Sequence, residues 1–231
     1  SEWFDPIRNE ELAEEFGRDS DVYRVRVLGE FPHIDPNCVM SHEDVEACTN
    51  VELRLQCARA SRVRQIGIDL ARFGGDENAA FVRQGNAVVK YGFWSHTDPN
   101  DVVDVTWRWQ SDFRWDNRKV KFVVDAGGIG QGVMRRFYKA SKPVHEFHSQ
   151  SKPREVKKYY NKITEAWFTL ARRVRKRQVY IPRDRVLLEQ LSNRRYGIDR
   201  KSGLIMIESK EDYVKRGHES PDRADALCMA F

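Results

Sequence analysis

One stretch of the sequence restricts the possible folds more than any other: Arg64 to Asp76, with the sequence RQIGIDLARFGGD. Its apolar and β-branched residues end at Asp69 and are followed by a loop with two glycines. This pattern predicts a buried strand that presents one carboxylate, itself unburied, at the edge of a sheet. Residues 78–83 and 87–94 are predicted to be two further strands joined by a turn, so Asp69 begins an antiparallel meander. This stretch alone leaves a turn-capping role for Asp69 open.

Two later stretches supply further carboxylates. Lys121 to Gly130 has the same pattern as the stretch around Asp69, with a predicted buried strand that ends at Asp125 and a glycine-rich loop after it. Near the end of the sequence, a Ser-Pro pair is a good start for a helix on which Asp222 and Asp225, three residues apart, share a face. Three acidic groups from distant parts of the chain can therefore converge on one pair of divalent cations.

The remaining periodicities predict an α/β fold. A three-strand meander followed by alternating strands and helices indicates a mixed sheet, antiparallel in the meander and parallel beyond it, with helices on both faces. No internal repeat competes with this interpretation. Helices are predicted over 98–112, 129–140, 161–177 and 185–193, strands over 119–125, 144–147 and 178–181, and a hairpin over 196–207.

The first sixty residues are predicted to be an appendage to a domain that spans residues 61–231. They contain a predicted helix over 6–16, an extended connector over 22–32, and a short helix that begins with Ser41 as its cap. No run of residues approaches the ~20 apolar positions of a membrane span, and no signal peptide is recognisable. We therefore expect a soluble, intracellular piece of a longer chain, with no membrane partner. The four cysteines lack metal-site spacing and are expected to be reduced thiols.

Positive charge is concentrated in one segment. Residues 152–177 contain ten Lys or Arg but only two Glu, in a chain whose net charge is +5. A phosphodiester substrate needs such cations beside an acidic metal site, although a solvated helix face is an equally ordinary explanation. The candidate DNA-binding residues in and after this segment are Lys152, Arg154, Lys157, Lys158, Arg172, Arg173, Arg194, Arg195, Arg200 and Lys201.

Four motifs, in this order and spacing, resemble one protein family. They are Leu-Gly-Glu-Phe-Pro, Ile-Gly-Ile-Asp-Leu-Ala-Arg-Phe-Gly-Gly-Asp-Glu, Val-Val-Asp-Ala-Gly-Gly-Ile-Gly-Gln-Gly-Val and Ser-Pro-Asp-Arg-Ala-Asp-Ala-Leu. Together they resemble the C-terminal nuclease domain of the large terminase subunit of tailed bacteriophages, over essentially the whole chain. The resemblance implies an RNase H-like fold and an endonuclease that cuts concatemeric viral double-stranded DNA during genome packaging.

The resemblance also implies site residues and a cofactor. Asp69, Asp125 and Asp222 would hold two Mg²⁺ or Mn²⁺ ions, with Asp225 and Asp76 as further candidate ligands. Where many family members have two adjacent aspartates in the third acidic motif, this chain has Pro221 in the first position. This departure leaves the choice between the neighbouring Asp222 and Asp225 as direct ligand open.

The implied partners follow from the same family. They are a packaging ATPase domain, the small terminase subunit and the portal, in the host cytoplasm and transiently at the procapsid. No Gly-x-x-x-x-Gly-Lys-Ser/Thr motif occurs, which fits an isolated nuclease half.

Three other functions remain open. The motifs around Asp69 and Asp125 also resemble the phosphate loops of actin-like ATPases, but Ala71-Arg72-Phe73 replaces the small polar pair usual there. Other RNase H-like nucleases, of the resolvase or transposase type, share the acidic trio. A non-catalytic DNA-binding module would use the basic residues alone.

Overall fold

Five strands form one mixed sheet in the order β3-β2-β1-β4-β5. The computed structural model describes residues 6–18, 23, 27–28, 37–71, 77–116, 119–125 and 131–231. The strands β1 to β3 pair antiparallel, whereas β4 lies parallel to β1 and to β5. The predicted combination of a meander with parallel strands is therefore confirmed. The strands are β1 (Arg64–Asp69), β2 (Glu77–Gln84), β3 (Ala87–Ser95), β4 (Lys121–Asp125) and β5 (Val144–Phe147).

Helices surround the sheet, and a separate hairpin follows them in the chain. The helices are α1 (Pro6–Phe16), α2 (His42–Ala47), α3 (Val51–Arg59), α4 (Pro99–Asp112), α5 (Gln131–Lys139), α6 (Lys162–Arg175), α7 (Arg185–Asn193), α8 (Lys210–Lys215) and α9 (Asp222–Ala230); the hairpin strands are β6 (Tyr196–Ile198) and β7 (Ile205–Ile207). Most of these elements were predicted, but α3 and α8 were not. Polar N-caps explain both, because Asn50 and Ser209 accept hydrogen bonds from the first turn of each helix.

The two faces of the sheet carry separate hydrophobic cores, since successive side chains of a strand point to opposite sides. Ile66 and Ile68 of β1 face a core that α4 and α5 complete. On the other face, Phe81 and Val123 belong to a core built with α6, α7 and α9. Helices therefore cover both faces, as predicted. Residues of α1 and α2, such as Phe16 and Val45, belong to this second core.

The prediction of a strand over residues 178–181 is wrong. Residues 178–181 make a single bridge, between Tyr180 and Ala87, instead of a further strand of the sheet. The extended stretch is short because Arg177 before it has a positive φ of 52° and Pro182 after it has no N–H for a ladder.

Three other expectations concern regions or properties outside the sheet. The predicted connector over 22–32 lies largely outside the described residues. Within the described part of the chain, no helix has the length and hydropathy needed to cross a membrane. All four cysteines are free thiols.

Candidate active site

Two parallel strands bring the first two carboxylates together. The pairing of Ile68 with Val124 places Asp69 and Asp125 side by side where β1 and β4 end. Ile68 and Val124, which precede them, face the core that α4 and α5 complete. Because successive side chains of a strand point to opposite sides, Asp69 and Asp125 lie on the face that α6 and α9 cover. Asp125 is half-buried, but Asp69 is only 7% exposed. The expectation of an unburied Asp69 carboxylate is therefore wrong, because α9 packs directly over the end of β1.

Helix α9 lies unusually close to β1. A Cβ atom on Gly67 would stand 2.5 Å from the Ala226 carbonyl oxygen and 2.5 Å from the Ala230 nitrogen. Only a glycine allows the helix backbone to approach the strand this closely. The approach carries Asp222 and Asp225, in the first turn of α9, to the same end of the sheet as Asp69.

Side chains fix both ends of α9. At the N-terminal end, Arg223 makes two hydrogen bonds to the Glu77 carboxylate, at 2.6 and 2.9 Å, and one to Asp184 at 2.9 Å. At the C-terminal end, Gln65 donates to the Met229 carbonyl at 2.7 Å, and the buried Arg83 donates to the Ala230 carbonyl at 3.1 Å. Cationic and amide donors suit helix carbonyls that lack internal partners. The Glu77 contact places Arg223, and thereby the neighbouring Asp222, against the start of β2.

Lys210 stands among three of the carboxylates. Its Nζ lies 3.4 Å from Asp69 Oδ2, 2.8 Å from Asp222 Oδ1 and 3.2 Å from Asp225 Oδ2. Asp222 also accepts a hydrogen bond from Ser220 Oγ at 2.6 Å. We call Asp69, Asp222, Asp225 and Lys210 the carboxylate cluster. Among the described residues no three His, Cys, Asp or Glu groups surround one point as metal ligands, and the Lys210 ammonium holds the centre of the cluster instead.

The electrostatics of the cluster follow from burial. Desolvation raises the pKa of Asp69 to about 7; Lys210 partly opposes this rise, while Asp222, Asp225 and Asp125 add to it. Burial by itself would lower the pKa of Lys210, but Asp69, Asp225 and Asp222 outweigh that effect and raise it above its ordinary value. The cluster therefore attracts positive charge strongly, and a single ammonium does not neutralise it.

Asp125 lies beside Asp69 and is less buried than the carboxylate cluster. Ser149, from the segment between β5 and α6, donates from Oγ to Asp125 Oδ2 at 3.1 Å. Asp76, the remaining candidate ligand, lies outside the described residues. The structure thus gathers Asp69, Asp125, Asp222 and Asp225 at one end of the sheet.

The donor set fits a hard divalent cation. Carboxylate oxygens are the ligands that Mg²⁺ and Mn²⁺ prefer, and the buried Asp69, Asp222 and Asp225 lie at the same end of the sheet as the half-buried Asp125. The Lys210 ammonium stands in for such a cation, because it makes close contacts with Asp69, Asp222 and Asp225 at once.

Sequence reasoning did not identify Lys210, Ser149 or Trp167, whose indole N–H donates to Asp225 Oδ1 at 2.7 Å. One signal was available for Lys210. Ser209 and Asp212 have the spacing of a capping box, which marks the start of a helix at Lys210. No local pattern marks Ser149 or Trp167, because each meets its aspartate only through the tertiary fold.

The predicted DNA-binding residues divide into three groups by their exposure. Three of those expected at the DNA surface lie against protein instead: Glu15 of α1 binds Lys158 and Arg172, and Arg194 is only 2% exposed. Arg194 lies between the rings of Trp167 and Tyr213, so it cannot reach a DNA backbone. Arg173 and Arg195 are half-buried. The exposed members are Lys152, Arg154 and Lys157, in the segment that begins near Ser149, and Arg200 and Lys201 in the hairpin turn.

No protein-family model matches the sequence, and no curated protein matches it either. Solved structures do match the fold. The nuclease domain of the large terminase subunit gp2 of bacterial virus Sf6 matches with a TM-score of 0.72 at 19% identity, over 84% of this chain and 97% of that one. The large terminase nuclease of thermophilic phage G20c matches with a TM-score of 0.55 at 19% identity, over 73% of this chain and 80% of that one.

A third match is the large terminase nuclease domain of Thermus phage P74-26, with a TM-score of 0.53 at 20% identity, over 73% of this chain and 77% of that one. Further structures of the Sf6 domain contain manganese or calcium, and further structures of the G20c nuclease contain cobalt or magnesium. This chain therefore has the RNase H-like fold of the nuclease domains of phage large terminase subunits.

Proposed function

We propose that this chain is a divalent-metal-dependent endonuclease that cuts double-stranded DNA. The observation that carries the proposal is the carboxylate cluster, in which the buried Asp69, Asp222 and Asp225 all contact the Lys210 ammonium, with Asp125 beside Asp69. Burying several carboxylates together is costly unless cations neutralise them. A stability role alone does not account for such a set at the carboxyl ends of two parallel strands.

Three carboxylates would hold the metal in this proposal. Asp69, on the central strand β1, Asp125 and Asp222 would together bind two Mg²⁺ or Mn²⁺ ions. The chemistry that two such ions supply when bound is activation of water and stabilisation of the leaving oxygen in an in-line displacement at phosphorus. Ser149 would keep Asp125 oriented through its 3.1 Å hydrogen bond.

The exposed basic residues would hold the DNA backbone. Lys152, Arg154 and Lys157 follow Ser149 in a segment that two backbone contacts anchor, since the N–H groups of Arg154 and Glu155 both donate to the Glu165 carboxylate at 2.8 Å. Glu165 thereby anchors the backbone of this segment, which follows the residue that donates to Asp125. Contacts of basic side chains with the DNA backbone bind phosphate without reading the base sequence.

The biological setting completes the proposal. The fold is that of phage large terminase nuclease domains, and on this likeness we base a role in viral genome packaging. The substrate would be concatemeric viral DNA, and the partners would be a packaging ATPase domain, the small terminase subunit and the portal. This work would take place in the host cytoplasm, transiently at the procapsid.

Plasmid cleavage tests the proposed chemistry. The chain is incubated with supercoiled plasmid in Mg²⁺, in Mn²⁺ and in EDTA, and Asp69→Asn, Asp125→Asn and Asp222→Asn are compared with Asp112→Asn. Asp112 is an exposed aspartate paired with Lys90, so its loss should leave cleavage unchanged. We expect metal-dependent nicking and linearisation that each of the first three substitutions lowers by at least 100-fold.

Two outcomes would contradict the proposal. Cleavage that persists in EDTA or survives Asp69→Asn would remove the metal site from the mechanism. ATP turnover without DNA would favour the actin-like ATPase alternative.

A further inference from the structure

Trp167 is a fully buried residue in the middle of α6 whose one polar atom contacts the carboxylate cluster. Its Nε1 donates to Asp225 Oδ1 at 2.7 Å, and the side chain has no exposed surface. Around it the buried residues of α6 are mostly apolar, including Phe168 and Leu170. Apolar contacts with these neighbours do not involve the N–H group, so its hydrogen bond needs a separate explanation.

The hydrogen bond divides the two oxygens of Asp225 between two partners. Oδ1 accepts from Trp167, and Oδ2 lies 3.2 Å from Lys210 Nζ, which also contacts Asp69 and Asp222. With Oδ1 held by a rigid indole, the carboxylate plane cannot rotate freely. Oδ2 is thereby kept directed toward the position that the Lys210 ammonium occupies.

Arg194 packs against the indole ring of Trp167. Its guanidinium carbon lies 5.5 Å from the Trp167 ring centroid and 5.3 Å from that of Tyr213, and its Nη2 donates to the Glu208 carbonyl at 2.7 Å. Nε and Nη1 of Arg194 have no hydrogen-bond partner among the described residues. The guanidinium is therefore committed to two aromatic faces, where cations bind favourably. This arrangement fixes the orientation of the indole ring.

We propose that Trp167 is a positioning residue for divalent cations, which it serves by orienting Asp225, and that Asp225 is consequently a direct ligand. This inference rests on the proposed function, since it names how one carboxylate of that same site is held. Removing the hydrogen bond leaves Asp225 free to turn Oδ2 away from Asp69 and Asp222. Loss of a hydrogen bond that orients a metal ligand typically weakens metal affinity by about 10–100-fold.

The test measures Mn²⁺ binding directly, by the electron paramagnetic resonance signal of free Mn²⁺, so that it does not depend on cleavage. The whole chain is compared with Trp167→Phe, Asp225→Asn and Trp115→Phe. Trp115 is buried in the other core, where it stacks on Phe113, so its substitution reports the general cost of replacing a buried tryptophan. We expect Trp167→Phe and Asp225→Asn to weaken binding by about 10-fold or more. Trp115→Phe should bind Mn²⁺ as tightly as the unaltered chain.

Unchanged Mn²⁺ affinity in Trp167→Phe would overturn the inference while leaving the proposed function intact. Absence of Mn²⁺ binding in the unaltered chain would instead overturn the proposed function, together with this inference.

A second measurement needs no variant that could unfold. In ¹⁵N-labelled unaltered chain, Mg²⁺ should shift the indole N–H resonance of Trp167, which the hydrogen bond to the Asp225 carboxylate moves downfield, and Mn²⁺ should broaden it before the other indole signals. If saturating Mg²⁺ moves no indole resonance, Trp167 does not sense the site and the inference fails.

Discussion

Asp69 carries a large electrostatic cost because it is buried beside three other carboxylates. Its pKa of about 7 means that the folded, metal-free chain holds this proton far more tightly than an unfolded chain does. A raised carboxyl pKa contributes stability below the unfolded value, near pH 4, and that contribution is lost as the pH rises through 7. The metal-free protein should therefore lose stability across this window, and bound cations should restore it.

Asp69→Asn tests this cost. The variant keeps the shape of the side chain but has no charge to desolvate, so the metal-free variant should be more stable than the unaltered chain at pH 8 by about 1–3 kcal/mol. The difference should shrink as the pH falls toward 5. Urea unfolding in EDTA at several pH values measures it, with the exposed Asp112→Asn as control. A variant no more stable than the unaltered chain at pH 8 would show that Lys210 fully compensates Asp69.

Lys210→Met tests the internal cation. The methionine retains an apolar stem but leaves Asp69, Asp222 and Asp225 without their shared ammonium. Because the Lys210 side chain is 40% exposed, we expect a metal-free loss of about 1–2 kcal/mol, below the ~3–5 kcal/mol of a fully buried pair. Mn²⁺ should raise the melting temperature more in this variant than in the unaltered chain. Lys215→Met, on the same helix, is the control, and an equal Mn²⁺ response in both variants would contradict the prediction.

The sequence could predict some of these residues and not others. Asp69 and Asp125 end apolar runs that glycines follow, a local pattern visible without the fold. Lys210 belongs to a six-residue helix and contacts Asp69 across 141 positions of sequence. No local sequence pattern around Lys210 therefore predicts this contact. Burial of Asp69 was also unpredictable, because it depends on α9 packing over the strand end.

At the scale of elements, α9 decides whether the site exists. Three sets of contacts hold it. Arg223 pairs with Glu77 at its start, and Arg83 and Gln65 donate to carbonyls at its end. Between them, the helix backbone packs closely against Gly67. Its start at a Ser-Pro-Asp motif was predictable from helix chemistry. Its position was not, because the absence of a side chain at Gly67 has meaning only once Ala226 and Ala230 lie opposite.

Gly67→Ala should displace α9 from β1. The added Cβ would meet backbone atoms at 2.5 Å, which cannot move aside as a flexible side chain can. We expect a loss of about 1–3 kcal/mol or more in urea unfolding, together with weaker Mn²⁺ binding because Asp222 moves with the helix. Gly132→Ala is the matched control, since nothing lies within 4 Å of its Cβ and alanine should stabilise α5 by about 0.5–1 kcal/mol. Equal stability of the two variants would refute the close-approach argument.

At the scale of the whole molecule, the fold redistributes the charge that the sequence concentrates. The basic segment 152–177 reads as one patch, but Glu15 of α1 is buried against its Lys158, Tyr159 and Arg172. Sequence reasoning could count these cations but could not know that Glu15, 143 positions before Lys158, forms ion pairs with two of them. The strand and helix order was predictable because it follows from periodicity. The charge available to a partner depends on which surfaces meet.

The available charge gives a last prediction. Replacing Lys152, Arg154 and Lys157 together by Ala should weaken DNA binding to a similar degree for every sequence. Each lost phosphate contact lowers the slope of log K against log salt by about 0.9, so the slope should fall by roughly 2–3. The control replaces Arg62, Lys119 and Lys139, three exposed cations at the opposite end of the sheet, where β1 and β4 begin. Fluorescence anisotropy with two unrelated duplexes, from 50 to 300 mM salt, measures both triple variants. If the control variant loses as much of the slope as the first, the DNA is held by net charge and not by the segment that follows Ser149.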